Sequence, residues 1–486
     1  MAKSLGILLA FIIFSTCKTT AQENLQDAYN SFKQNAYAEY EEFRKQVNQD
    51  YAEWMKKAWK WFQKIDPIPK PKDDMLPPVI YKEEKTTIPK PQPYEEIIPI
   101  PEPKPQPKPI TPIREDKGEY ETVTFQFFGT PGEVRLPQNF RLKMDGCDEI
   151  ACSKAWEQLS NKEYNNLIRD CLLLRMKHQL CDWAYLLMLG ILSETVCGEG
   201  TNEAIMMQAY VFCQSGYQIR LGMTENGALK LLFKSDHRIF DMTGFDMEDG
   251  RYYSLQSIDG KGLNVYNNSF PKEKALSLWI NQVPLLSENN SVERQLTSTN
   301  QQVSVRIHTN KNLIQFYNTY PTSMTGMDFM TRWAMYANTP LSGQTKEKLY
   351  SQLNKLIAKA ENKIKAANLI LNWIQTAFVY EYDNKVWGGD RAFFAEETLY
   401  YPYCDCEDRS ILFSRLIRDL LGFEVVLVYY PGHLATAVAF TTPVNGDYIK
   451  LGDKIFTICD PTFIGAPIGS TMPNMDNETA KIILLK

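Results

Sequence analysis

Through residues 25–65 the apolar and aromatic positions recur every eleven residues. Tyr29, Tyr40, Tyr51 and Phe62 are in phase, as are Phe32, Phe43 and Trp54, and Leu25, Ala36, Val47 and Ala58. Eleven residues make about three helical turns, so such a stripe stays on one face. The pattern predicts one long amphipathic helix over residues 22–66. Its face suits self-association or docking on a partner. The lysines Lys56, Lys57, Lys60 and Lys64 beside the aromatics also suit a membrane surface. The periodicity then stops. Residues 67–115 form a proline-rich linker, and residues 67–112 alone hold fifteen of the 27 prolines. Proline removes main-chain donors and biases the chain to polyproline II. At ~3.1 Å per residue, this stretch is expected to act as a semi-rigid spacer.

Residues 116–336 read as a mixed α+β region. ETVTFQFF has strand character and precedes a turn at Gly129-Thr130-Pro131-Gly132. Helical patterns follow over Asn165 to Leu192 and over 203–213. Strand-like runs such as QVSVRIHT and KNLIQFYN dominate from Ile219 to Tyr320. Part of this region parallels the C-terminal one. Gly216 and the run QIRL mirror Gly422 and the run EVVL, each after two helical segments. The parallel reads either as a degenerate copy with no thiol near Gly200 or Thr201, or as an ordinary helix–loop–helix–strand. His237 and Asp241 are candidate remnants of a paired site.

The candidate chemistry lies in residues 337–486. Cys406 sits in YPYCDCEDRS, immediately before an apolar run with helical spacing. His433 opens the strand-like HLATAVAF, and Asp460 closes KIFTICD. A thiol at a helix start, with a base and an orienting carboxylate on neighbouring strands, is the layout of an activated cysteine nucleophile. A free thiol titrates near ~8.5. The positive end of a helix and an adjacent imidazolium would both lower that value. Asp408 is expected to complement the helix start. Cys404, Cys406, Cys459 and His433 also make a zinc reading conceivable, but the expected site carries no metal.

These residues resemble the transglutaminase-like superfamily, and within it the bacterial cysteine-proteinase branch. The resemblance rests on DCEDRS, the helix through Arg418 and Leu421-Gly422, EVVLVYY, PGHLATAV and CDPTF, with NWIQTAFVYEYD upstream. It implies an α+β papain-like fold in which a helix carrying the cysteine packs on an antiparallel sheet carrying His433 and Asp460. It implies Cys406 as nucleophile, His433 as general base and acid, and Asp460 as orienter. Papain-like relatives use a polar side chain in the oxyanion hole, for which Gln375 is the candidate. Cys404-Asp405 departs from the glycine that usually precedes the nucleophile. The implied activity is thiol-dependent acyl transfer on a peptide or protein amide, with hydrolysis expected over cross-linking. A catalytically silent binding or scaffold protein at the cell surface is the alternative. No organic cofactor is implied.

The chain has 486 residues and a net charge of −5, which gives no case for nucleic acid. Residues 1–21 read as a signal peptide, with Lys3, an apolar run from Leu5 to Phe14 and a small-residue cleavage site. Lipid attachment at Cys17 is the alternative use of that segment. An exported, periplasmic or cell-surface location would permit disulfides. Of the ten cysteines, setting aside Cys17 and Cys406 leaves an even set able to bridge. It includes the cluster Cys147, Cys152, Cys171, Cys181, Cys197 and Cys213, and the pair Cys404 and Cys459.

Overall fold

A computed structural model of the chain describes residues 41–57, 59–71, 75–82, 91–92, 96–98, 100, 114–269, 273–475 and 479–486. The expected leader, Cys17 and the first part of the long helix lie outside them. Among the described residues, no helix is long and apolar enough to cross a membrane.

Among the described residues, the N-terminal helix α1 (41–55) ends before the eleven-residue repeat predicts. Residues Lys60–Gln63 leave the helix and form strand β1. One face of α1 is docked on its own chain. Tyr51 stacks on Trp156 at 4.6 Å and meets Tyr266 edge-on at 5.0 Å. Asn48 exchanges hydrogen bonds with Gln214, at 3.2 and 3.0 Å. Phe43 and Trp54, in phase with each other, stay exposed. The stripe therefore splits between an internal contact and solvent.

The proline-rich stretch is not a free spacer where it is described. Asp241 donates its N–H to Ile68 O. Pro91–Gln92 (β2) and Glu96–Ile98 (β3) add parallel edge strands to the C-terminal sheet. Proline lacks only its own N–H, so its neighbours and its carbonyls still pair.

In the middle region, helix α2 (Asn202–Gln214) precedes strands β4 (Ile219–Met223), β5 (Leu229–Lys234), β6 (Gly244–Met247), β7 (Gly250–Ser254) and β8 (Gly262–Tyr266). They form a six-stranded sheet of order β1-β8-β4-β5-β7-β6. KNLIQFYN, which reads as strand, is instead the helix Lys311–Tyr317, started by Asn310 capping Asn312 N–H. His237 and Asp241 do not pair. The imidazole accepts Leu278 N–H at Nε2 and faces Ser323 Oγ at Nδ1.

The C-terminal region has helices α3 (Lys363–Ala377) and α4 (Cys406–Leu416) and strands β9 (Glu424–Tyr430), β10 (His433–Ala439), β11 (Tyr448–Leu451), β12 (Lys454–Cys459) and β13 (Lys481–Leu484). Their seven-stranded sheet has the order β2-β11-β12-β10-β9-β13-β3. The run β13-β9-β10-β12-β11 repeats the run β8-β4-β5-β7-β6, with every pairing antiparallel in both. In both halves a glycine with positive φ, Gly216 at 96° and Gly422 at 70°, turns the helix into the first strand. A side chain on Cβ would strain that reversal. In each half the first residue of the helix also takes a main-chain N–H at the start of the second strand: Asn202 Oδ1 from Leu229 at 2.9 Å, and Cys406 Sγ from Leu434.

Nine described cysteines are free thiols, and no disulfide joins any of them. This corrects the bridge expectation, for Cys404 and Cys459 as well. Several make isolated contacts: Cys152 with Cys147 O, Cys197 with Met207 Sδ, Cys404 with Val379 O, Cys459 with Thr457 O. They serve as small apolar core residues.

Candidate active site

Helix α4 starts where the sequence predicts because its first turn is doubly capped. Asp405 accepts Glu407 N–H at 3.2 Å, and Asp408 accepts Asp405 N–H at 3.2 Å, a reciprocal capping box. The other Asp408 oxygen accepts Phe393 N–H at 2.8 Å. Cys406 is therefore held as the first helical residue. Strand β12 pairs with β10 only from Thr436 to Val438, so Leu434 lies beyond the ladder on that edge. Helix α4 fills the gap. Ser410 Oγ donates to Leu434 O at 2.8 Å, and Leu434 N–H reaches the Cys406 thiol.

His433 and Asp460 are joined. His433 Nε2 donates to Asp460 Oδ2 at 2.8 Å, and both residues are buried. The second oxygen of Asp460 accepts the N–H groups of Thr462 at 2.8 Å and Phe463 at 3.1 Å. The carboxylate is thus fixed in orientation by its own turn. His433 Nδ1 is buried and makes no hydrogen bond. Cys406 meets Leu434, the residue after His433, and no hydrogen bond joins its thiol to the ring. Cys406 Sγ instead touches Met75 Sδ at 3.6 Å.

Burial, then the neighbouring Asp405 and Glu407, push the Cys406 thiol well above the ordinary range, against the pull of Leu434 N–H. This is opposite to the lowering expected from the helix start. The cover over the sulfur and the flanking carboxyls set this direction.

Gln375 lies on α3, but its amide is committed elsewhere. Nε2 donates to Asp460 O at 2.9 Å and Ala466 O at 3.1 Å, and Oε1 accepts Gly465 N–H at 3.1 Å. Both amide hydrogens are used, so Gln375 clamps the loop after Asp460 and has no donor left for an oxyanion. Arg409, on α4, ties down the end of α3 by donating to Gln375 O at 3.2 Å and Phe378 O at 2.7 Å.

No family model, curated protein or solved structure matches this chain. The site is therefore read from its own geometry.

Oxygen donors gather beneath the thiol. Among the described residues, the carboxyl oxygens of Asp383, Asp390 and Glu407 lie within 4.8 Å of one another, and so do ligand atoms of Asp405, Cys406 and Glu407. Both oxygens of Glu407 are buried without a hydrogen-bond partner. Burial and the charge of Asp390 raise Asp383 to about 7. Such a donor set suits a hard divalent cation rather than zinc. The set Cys404, Cys406, Cys459 and His433 is not gathered into a ligand cluster among the described residues. The sequence brings Asp405, Glu407 and Asp408 to notice, but Asp383 and Asp390 reach the cluster only through the fold. Glu396, nearby in sequence, is kept from this cluster by Ser342 and Thr345, whose N–H and hydroxyl groups donate to it.

Proposed function

We propose that this protein is a thiol-dependent acyl-transfer enzyme acting on peptide or protein amides, with Cys406 as nucleophile, His433 as base and acid, and Asp460 as orienter. One observation carries the reading: the buried bond from His433 Nε2 to Asp460 Oδ2, which leaves Nδ1 as a free acceptor on a residue next to the thiol's N–H partner. With the proton held on Nε2, Nδ1 takes the thiol proton as sulfur attacks the carbonyl carbon. The imidazolium then gives that proton to the leaving amine, and a thioester forms. Water, activated by the same nitrogen, cleaves the thioester to an acid and restores the thiol. An amine in place of water would give cross-linking. Hydrolysis is the expected outcome, in a papain-like α+β core of the transglutaminase-like kind.

The middle region is read as a silent copy of this core. It has the same strand order, with Asn202 where the active half has Cys406. Alanine occupies the position before Leu229, where the active half has His433 before Leu434.

The test is alkylation of Cys406 by iodoacetamide, followed by mass spectrometry, in wild type and His433→Ala, each with the cover over the sulfur opened by Met75→Ala. A rate that falls at least tenfold on losing the imidazole supports the reading. Equal rates in both proteins remove it.

A further inference from the structure

The proline-rich segment Met75–Tyr81 crosses the face of the site. Leu76 N–H donates to Gly432 O at 2.8 Å, one residue before His433. Tyr380 Oη donates to Leu76 O at 3.2 Å. Ile464 N–H donates to Val79 O at 2.8 Å, and Tyr81 N–H donates to Ile464 O at 2.9 Å, a parallel bridge on the loop after Asp460. Tyr81 packs edge-on against Phe463 at 5.4 Å.

Two features of this segment are unlike an ordinary surface loop. It is held by main-chain groups at both ends, with Leu76 and Ile80 turned to solvent at 39% and 68% exposure. Its one side chain that reaches the chemistry is Met75, whose thioether lies on Cys406 Sγ. A thioether offers sulfur no carbonyl to attack, so the segment blocks the thiol without being consumed.

We propose that the groove formed by Gly432, Tyr380 and Ile464 is the substrate groove. It takes an extended peptide through its main chain, with an unbranched apolar side chain beside the thiol, and Met75–Tyr81 fills it in cis. This deepens the acyl-transfer reading and rests on it. Gly432 O, Tyr380 Oη and the two main-chain groups of Ile464 pair with any extended backbone, as in strand addition. Selectivity then comes from the one inward side chain. A tethered occupant competes at high effective concentration, so a free peptide enters only when the strap leaves.

The experiment uses the full chain and reads alkylation of Cys406 by iodoacetamide at neutral pH. Met75→Ala removes the plug, and Leu76→Pro deletes the N–H that pairs with Gly432. Each is expected to raise the rate at least tenfold with an unchanged melting temperature. A synthetic peptide of residues 75–82, added to either opened variant, is expected to restore protection. The same peptide with Met75→Asp is expected to fail. Unchanged rates in both variants, or a peptide that gives no protection, overturn the proposal. Should one variant not fold, the other with the peptide decides. Adding His433→Ala to an opened variant separates the two readings: loss of reactivity there tests the acid–base pair, whereas opening and peptide protection test the groove.

Discussion

Gln375 holds the main chain of Asp460 from a different element. Its Nε2 donates to Asp460 O at 2.9 Å, while the Asp460 side chain holds His433. One α3 side chain thus sets the position of the carboxylate that bonds His433. Gln375→Ala leaves two carbonyls and the Gly465 N–H unpaired in a buried setting. A single unsatisfied buried group costs about 1–3 kcal/mol, so the variant is expected to lose roughly 2–5 kcal/mol. Calorimetric unfolding checks this, and a loss below about 0.5 kcal/mol contradicts the clamp.

The two oxygens of Asp460 have unequal tasks, which makes Asp460→Asn informative. Oδ1 accepts two main-chain N–H groups, so asparagine keeps its carbonyl oxygen there and turns its amide toward His433. Nε2 must then accept, and the ring proton moves to Nδ1. The ring can no longer take the thiol proton. The expected loss of His433-dependent reactivity is about 10³–10⁴-fold, as for a triad held in the wrong tautomer, with stability nearly unchanged. The check is the Cys406 alkylation rate in the Met75→Ala background. A rate equal to that of Asp460 removes the orienting role.

His237 sets a pH limit on the middle region. Burial lowers its pKa to about 4, and the ring is held neutral because Nε2 accepts Leu278 N–H. In the unfolded chain the same ring titrates near ~6.5. Between those values the unfolded state binds a proton that the folded state does not. Stability is therefore full above about 6.5 and falls as pH drops toward about 4, by about 3 kcal/mol in all. His237→Gln, which keeps an acceptor without titrating, is expected to flatten this part of the stability–pH curve. An unchanged slope in that variant would falsify the assignment.

Much of the site's scaffold was legible because its signals are local. Cys406 is the first residue of α4, His433 the first of β10, and Asp460 follows the last of β12, as the periodicity and capping residues suggested. The bond between His433 and Asp460 follows from two strands paired in one sheet, a non-local fact that strand order alone supplies. Other elements were hidden for physical reasons. Proline density conceals the pairing of Leu76 and Tyr81, since the non-proline neighbours and the carbonyls remain free to bond. Residues 60–63 continue the eleven-residue phase but gain more by pairing with β8 than by extending α1. Free thiols resemble bridge partners in a count and are told apart only by their contacts. Gln375 has no sequence signal because its role depends on a loop some ninety residues away.

The cluster of Asp383, Asp390 and Glu407 leads to a prediction on cation removal. Three carboxyls whose oxygens lie within 4.8 Å repel one another, and Glu407 has no hydrogen bond to offset its burial. Arg332, at 3.8 Å from Asp390, and the charges of Lys70 and Arg391 near Asp383 offset part of this. A calcium ion at this point would supply the missing charge through oxygen ligands. A folded state that binds it gains about 2.7 kcal/mol when the ion is present at a hundred times its dissociation constant. Calcium is expected to raise the melting temperature of chelator-treated protein by several degrees, and a chelator to reverse the gain. Glu407→Gln keeps the volume and removes one ligand charge. Burial and the neighbouring Asp405 and Asp390 hold Glu407 toward its neutral form without the ion, so the variant is expected to leave the calcium-free protein nearly unchanged and to weaken the calcium response. A thermal shift identical in wild type and Glu407→Gln would place the ion elsewhere, and no shift in either would leave the carboxyls protonated and the cluster without a cation.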